Sequence, residues 1–186
     1  MKKNIGIDNI LFFDLDGTLV DTNLSNYLSY KKAIKSVTNK TINQIDENQR
    51  FNRSILKKVQ PNLTDSEYEK IIQLKEEYYK DFLEHTKLKQ SVVNILLQYS
   101  KTNSTILVTN CRESRAVMTL DYHRLTKHFT RLIFRQINND NLKINKYQNA
   151  ILYLNISPKL VIAFEDEESE INDAKNAGIQ VINPTI

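Results

Sequence analysis

Two carboxylates at i and i+2, Asp14 and Asp16, run directly into Gly17 and Thr18 and are the residues of this chain best suited to chemistry. Acids so close together repel and shift each other's protonation, so the pair calls for a cation. A hard, oxygen-seeking ion such as Mg²⁺ is the fitting partner. The residues just before them, Ile10-Leu11-Phe12-Phe13, form an apolar run too short for a helix and rich in strand formers, which predicts a buried strand. A buried strand ending in two acids presents them outside the carboxyl end of a sheet, where ligands bind in open α/β folds.

The elements that must position these acids follow along the chain. From Asn23 to about Lys89 no strand signal occurs. Leu24, Tyr27, Leu28, Ala33, Ile34 and Val37 fall at helical spacing, and a second helix is expected over Ile45 to Val59. Thr64-Asp65-Ser66-Glu67 reads as a capping box opening a long helix with Tyr68, Ile71, Ile72, Leu74, Tyr78, Tyr79, Phe82 and Leu83 along its apolar stripe. From Ser91 the pattern alternates. Strands are expected at Ser104–Thr109, Leu132–Phe134, Leu160–Phe164 and Ile179–Ile182, with helices at Ser91–Tyr99, Glu113–Leu125, Tyr147–Leu154 and Glu168–Ala177. This order implies a Rossmann-like, doubly wound parallel sheet (residues 1–21 and 90–186) with a small all-helical insertion (22–89). An insertion leaving directly after the first strand rises from the sheet edge that carries the acids and is expected to sit over them.

Composition narrows the function classes. The 186 residues, 40% of them hydrophobic, suffice for one domain or one domain plus a small insertion. No apolar run approaches the ~18 residues of a membrane helix, and Met1 to Asp8 has no apolar stretch of signal-peptide length. The single cysteine, Cys111, excludes an internal disulfide, suits a reducing cytoplasm and reads as structural. The net charge of +4 is spread among acids, as in Lys70 to Glu77, so neither a nucleic-acid surface nor a membrane partner is expected. A basic balance does steer anionic substrates. His85, His123 and His128 show no metal spacing, while Arg50, Arg53 and Arg112 are candidate phosphate contacts because guanidinium suits phosphate.

The stretch Asp14-Leu15-Asp16-Gly17-Thr18-Leu19-Val20-Asp21 resembles the first motif of the haloacid dehalogenase-like hydrolase superfamily, DxDGT[LV]xD. Thr109, ending its strand beside Asn110, is similar to the second motif. Phe164-Glu165-Asp166 with Ile171, Ala174, Ala177 and Gly178 resembles the fourth, [FV]EDSxxGixAAxxAG, departing at Glu167, where Ser is usual, and at Glu170, where Gly is common. The third motif, often Lys-Pro, has no such pair here; Lys143 and Lys146 are available, and Lys146, at the helix start, is preferred.

The resemblance implies a phosphatase-type enzyme with a helical C1 cap. Asp14 would be nucleophile and Asp16 acid and base. Mg²⁺ would be held by Asp14, the Asp16 backbone carbonyl and Asp166. Thr109, Asn110 and Lys146 would bind phosphoryl oxygens. Glu165 would support this set, with Glu167, Glu168 and Glu170 on the surface. The implied substrate is a small phosphorylated metabolite. A phosphosugar mutase and a non-catalytic binding or regulatory protein of the same fold are the alternatives; dehalogenases lack the second acid of the first motif. The sequence specifies neither the substrate nor an oligomeric state.

Overall fold

The structure, a computed structural model, describes residues 5–42, 50–136 and 145–184. Strand β1 (Ile10–Phe13) forms from the apolar run, and the chain turns through residues 14–19 into a short strand β2 (Val20–Asp21). Helices α1 (Asn23–Thr38), α2 (Arg53–Val59) and α3 (Asp65–Tyr78) and a 3-10 segment (Tyr79–His85) come next. Strand β3 (Lys87–Leu88) then pairs with β2. Beyond it run α4 (Gln90–Tyr99), β4 (Thr105–Val108), α5 (Glu113–Tyr122) and β5 (Arg131–Ile133). Helix α6 (Lys146–Leu154), β6 (Val161–Phe164), α7 (Glu168–Asn176) and β7 (Gln180–Ile182) complete the described chain.

Among the described residues five strands form one sheet in the order β5-β4-β1-β6-β7, every neighbouring pair parallel. The chain winds outward from β1 through β4 to β5 and then returns to the other side for β6 and β7. The reversal beside β1 leaves a crevice at the carboxyl ends of β4, β1 and β6, the position favoured for ligands in such sheets. Parallel strands are covered on both faces, which is why these read as continuous apolar runs. Along β1, Leu11 and Phe13 pack with Val92 and Leu96 of α4 and Ala116 and Leu120 of α5. Phe12 faces the opposite way, onto Tyr147 and Ala150 of α6 and Ala174 of α7. Phe13 is also stacked on its register partner Phe164, ring centroids 4.7 Å apart, which ties the last residues of β1 and β6 together beneath the crevice.

The chain divides into two compact units, Met1–Val20 with Leu88–Ile186, and Asp21–Lys87. The second is helical and has its own core of Tyr27, Tyr30 and Ile34 from α1, Leu56 from α2, and Ile71 and Ile72 from α3. Its elements depart from the sequence pattern in three places, the first being β3, a strand at Lys87–Leu88 where no strand is expected. The helix expected over 45–59 begins at Arg53, because the Asn52 side chain accepts the Ile55 N–H at 3.0 Å and caps it there; residues 43–49 lie outside the described residues. The long helix expected to reach Leu83 tightens into the 3-10 segment at Tyr79. The capping box forms: the Thr64 hydroxyl accepts the Glu67 N–H at 3.3 Å, and the Glu67 carboxylate accepts the Thr64 N–H at 2.9 Å. Replacing Thr64 by Ala is expected to destabilise the helical unit by about 1 kcal/mol, the usual cost of losing an N-cap oxygen. A lowered urea midpoint with unchanged slope is the measurement that checks it.

Candidate active site

Three strand ends supply the acids and the hydroxyl. Asp14 follows β1, Thr109 follows β4, and Glu165 and Asp166 follow β6; Asp14, Thr109 and Glu165 are buried, Asp166 half-buried. Lys146 opens α6. Its helix start is fixed by Asn145, whose side-chain oxygen accepts the Tyr147 and Gln148 N–H groups and whose amide donates to the Asp173 carbonyl on α7. The Lys146 ammonium donates to Asp14 Oδ1 at 2.6 Å and to Glu165 Oε2 at 2.8 Å, and Glu170 Oε2 lies 3.6 Å away. Of the two lysines weighed for this position, Lys146 reaches the acids, and Lys143 lies outside the described residues.

The turn after β1 is shaped around Asp166. Gly17 has φ +93°, and a Cβ there would stand 2.5 Å from Asp166 Oδ2. Only glycine therefore lets the backbone come this close. The Thr18 hydroxyl donates to Asp166 Oδ1 at 2.7 Å and orients the carboxylate. Glu165 is bracketed by donors: Oε2 accepts from Lys146 and, at 2.7 Å, from the Tyr147 hydroxyl, and Oε1 accepts the Asp166 and Glu167 N–H groups, each at 3.0 Å.

Carboxylate oxygens of Asp14, Glu165 and Asp166 lie within 4.8 Å of one another. This all-oxygen set suits a hard divalent cation. Because four hydrogen bonds already converge on Glu165, Asp14 and Asp166 would be the better-suited ligands of such an ion, with Glu165 as a support. The Asp16 carboxylate does not join this group. It accepts two parallel hydrogen bonds from Arg115, at 3.0 and 2.9 Å.

Two residues depart from the sequence expectation. Glu170, expected on the surface, is buried, and its carboxylate accepts from the Asn110 amide at 3.0 and 3.2 Å as well as facing Lys146. Arg112, the candidate beside Thr109, is exposed, and Arg115, one turn later on α5, reaches an acid in its place. Helical spacing is the signal for both: Glu170 shares the buried face of α7 with Ala174, and Arg115 stands four residues before the buried Thr119 on α5. Thr109 keeps its hydroxyl at the strand end, where it accepts the Cys111 N–H at 3.2 Å, and Cys111 packs in the core. Arg50 and Arg53 belong to the helical unit.

Burial penalises the ionised form of Asp14 most strongly and, with Glu165 and Asp16 adding repulsion against the pull of Lys146, raises its pKa from 3.8 to about 7. Burial alone would lower Lys146, but Asp14, Glu165 and Glu170 outweigh it and hold the ammonium well above the usual lysine range. Tyr147 is raised well above 10.0, by burial first and then by Glu165 and Asp14, so it serves Glu165 as a neutral donor.

A family model described as haloacid dehalogenase-like hydrolase matches residues 11–183. No curated protein matches the chain. Among solved structures, a haloacid dehalogenase-like family hydrolase from Streptococcus pneumoniae is 19% identical with a TM-score of 0.73, covering 93% of this chain and 82% of its own. A protein from Haemophilus somnus described as a predicted phosphoglycolate phosphatase is 22% identical, TM-score 0.75, over 96% and 85%. CbbY from Rhodobacter sphaeroides, solved in complex with phosphate, is 14% identical, TM-score 0.76, over 93% and 84%. Likeness at these identities is likeness of fold.

The raised Asp14 carries a signed stability prediction. Its folded pKa of about 7 exceeds the unfolded value near 3.8, so its contribution is present at low pH and lost as pH rises through that window. In metal-free buffer, Asp14→Asn should gain thermal stability relative to the unmodified protein progressively from about pH 4 to about pH 7 and then level off. Melting curves of both proteins across that range check the trend; a constant or shrinking difference contradicts it.

Proposed function

The chain belongs to the haloacid dehalogenase-like hydrolase family, and from that premise we propose that it is a Mg²⁺-dependent phosphatase acting on a small phosphomonoester. The observation that carries this reading is the Lys146 ammonium held 2.6 Å from Asp14 at the carboxyl end of β1, with Asp166 beside it. A carboxylate fixed by a buried ammonium is poised as a nucleophile toward an anionic centre.

In this reading Asp14 attacks phosphorus in line, the ester P–O bond breaks, and an aspartyl-phosphate forms on Asp14. Asp16 gives a proton to the departing oxygen and later takes one from the water that hydrolyses the intermediate. Lys146, the Thr109 hydroxyl and the Asn110 backbone N–H bind the equatorial phosphoryl oxygens, while the Asn110 side-chain amide stays on Glu170. Bound Mg²⁺, held by Asp14, Asp166 and the Asp16 backbone carbonyl, would offset the phosphate charge so that a carboxylate can approach. The helical unit, inserted immediately after the acid-bearing turn, is the proposed lid and carrier of substrate specificity. The substrate is a small phosphorylated metabolite of the cytoplasm.

The protein with Mg²⁺ should hydrolyse p-nitrophenyl phosphate or a sugar or nucleotide phosphate, and lose that activity in EDTA until Mg²⁺ is restored. Asp14→Asn should abolish turnover, and activity surviving in it would remove the nucleophile assignment. Lys146→Ala should lower kcat on the order of 10²–10³-fold, as for loss of one preorganised charge donor.

A further inference from the structure

We propose that Arg115 is the positioning residue for proton transfer by Asp16, an inference that rests on the phosphatase reading above. Asp16 and Arg115 stand 99 positions apart in sequence, in the same compact unit. The guanidinium places Nη1 3.0 Å from one Asp16 oxygen and Nη2 2.9 Å from the other, with the side chains only 5% and 11% exposed. A fork gripping both oxygens sets the plane of the carboxylate as well as its position. A buried ion pair is in itself weak evidence for stability, which directs attention to what this one orients.

Both ends of the clamp are anchored. The backbone around Asp16 is held by the Leu15 carbonyl, which accepts the Leu19 and Val20 N–H groups at 3.1 and 3.0 Å, and by the Gly17 N–H, which donates to the Val20 carbonyl at 2.8 Å. On α5, Ala116 and Leu120 are fully buried in the core, and the Thr119 hydroxyl donates to the Arg115 carbonyl at 2.8 Å. The fork therefore connects a rigid turn to a rigid helix, and the Asp16 side chain between them loses its rotational freedom.

That freedom matters for the chemistry. In the first half-reaction the Asp16 proton passes to the ester oxygen as the P–O bond breaks and the Asp14 oxygen bonds to phosphorus. The carboxylate left behind is the form that accepts both Arg115 N–H groups. In the second half-reaction that carboxylate takes a proton from water as the water oxygen bonds to phosphorus and the Asp14–phosphorus bond breaks. A proton donor must sit within hydrogen-bond reach of the departing oxygen, and misplacement by about 1 Å costs on the order of 10²-fold.

The test is a leaving-group series. With Mg²⁺ present, kcat/KM is measured for phosphate esters from p-nitrophenol, which leaves without a proton, to simple alkanols, which need one. Arg115→Ala should lower kcat/KM for alkyl esters on the order of 10²-fold, change p-nitrophenyl phosphate little, and so steepen the dependence on leaving-group pKa. Added guanidinium ion should restore part of the alkyl rate. Arg115→Lys, which keeps the charge without the fork, should fall between the two and serves as the readout if the alanine variant does not fold. Asp16→Asn should show the same steepening, with no further change when combined with Arg115→Ala. An equal loss across the series, or none, would overturn the positioning role while leaving the phosphatase reading standing. No turnover by the unmodified protein on any ester would overturn that reading and the inference with it.

Discussion

Burying an ammonium among carboxylates is the constraint on which the rest of this structure depends. Lys146 is 6% exposed and faces Asp14, Glu165 and Glu170 within 3.6 Å. Charges taken from water in this way are tolerated only when geometry and further hydrogen bonds compensate, and removing one partner of such a set commonly costs about 3–5 kcal/mol. The surrounding devices supply that compensation. Asn145 fixes the helix start that delivers Lys146, Tyr147 and two backbone N–H groups complete Glu165, and Asn110 satisfies Glu170.

Among the described residues the cluster is nonetheless rich in acids. Three of their carboxylates face the Lys146 ammonium, and Asp166 lies close by. Repulsion within this set and burial together lift Asp14 toward neutrality. A nucleophilic carboxylate has to be ionised, so the proposed chemistry and the protein's own electrostatics pull in opposite directions until a further cation enters. A divalent ion held by Asp14 and Asp166 would resolve that conflict, which is the physical support for the proposed Mg²⁺ dependence.

How much was legible in the sequence follows from where each side chain originates. The sheet core was readable because buried parallel strands leave contiguous apolar runs, and the strand-end acids and hydroxyl because Asp14, Thr109 and the pair Glu165-Asp166 come directly after such runs. Lys146 was readable only through the resemblance, whose third motif implies a lysine, with its place at a helix start favouring it over Lys143. Arg115 is not legible as a site residue and Glu170 reads as a surface acid, because they reach the site from the first turns of α5 and α7, and their partners, Asp16 and Asn110, lie far away in sequence. A run of acids over 165–170 looks like a solvated helix start, and the spacing that buries Glu170 together with Ala174 is visible only once the helix has a defined inner face. The start of α2 differs from the sequence pattern for a local reason, since the cap at Asn52 overrides an apolar pattern that extends further back.

The central claim is that Asp14 carries the phosphoryl group during turnover, and chemical trapping tests it most directly. The protein is quenched with acid during turnover of a phosphate ester, the acyl phosphate is reduced with borohydride, and the peptides are sequenced by mass spectrometry. The aspartyl-phosphate reading predicts reduction of the side chain at position 14 alone, dependent on substrate. Reduction at Asp16 or Asp166 instead, or turnover with no reducible carboxyl anywhere in the chain, would contradict it.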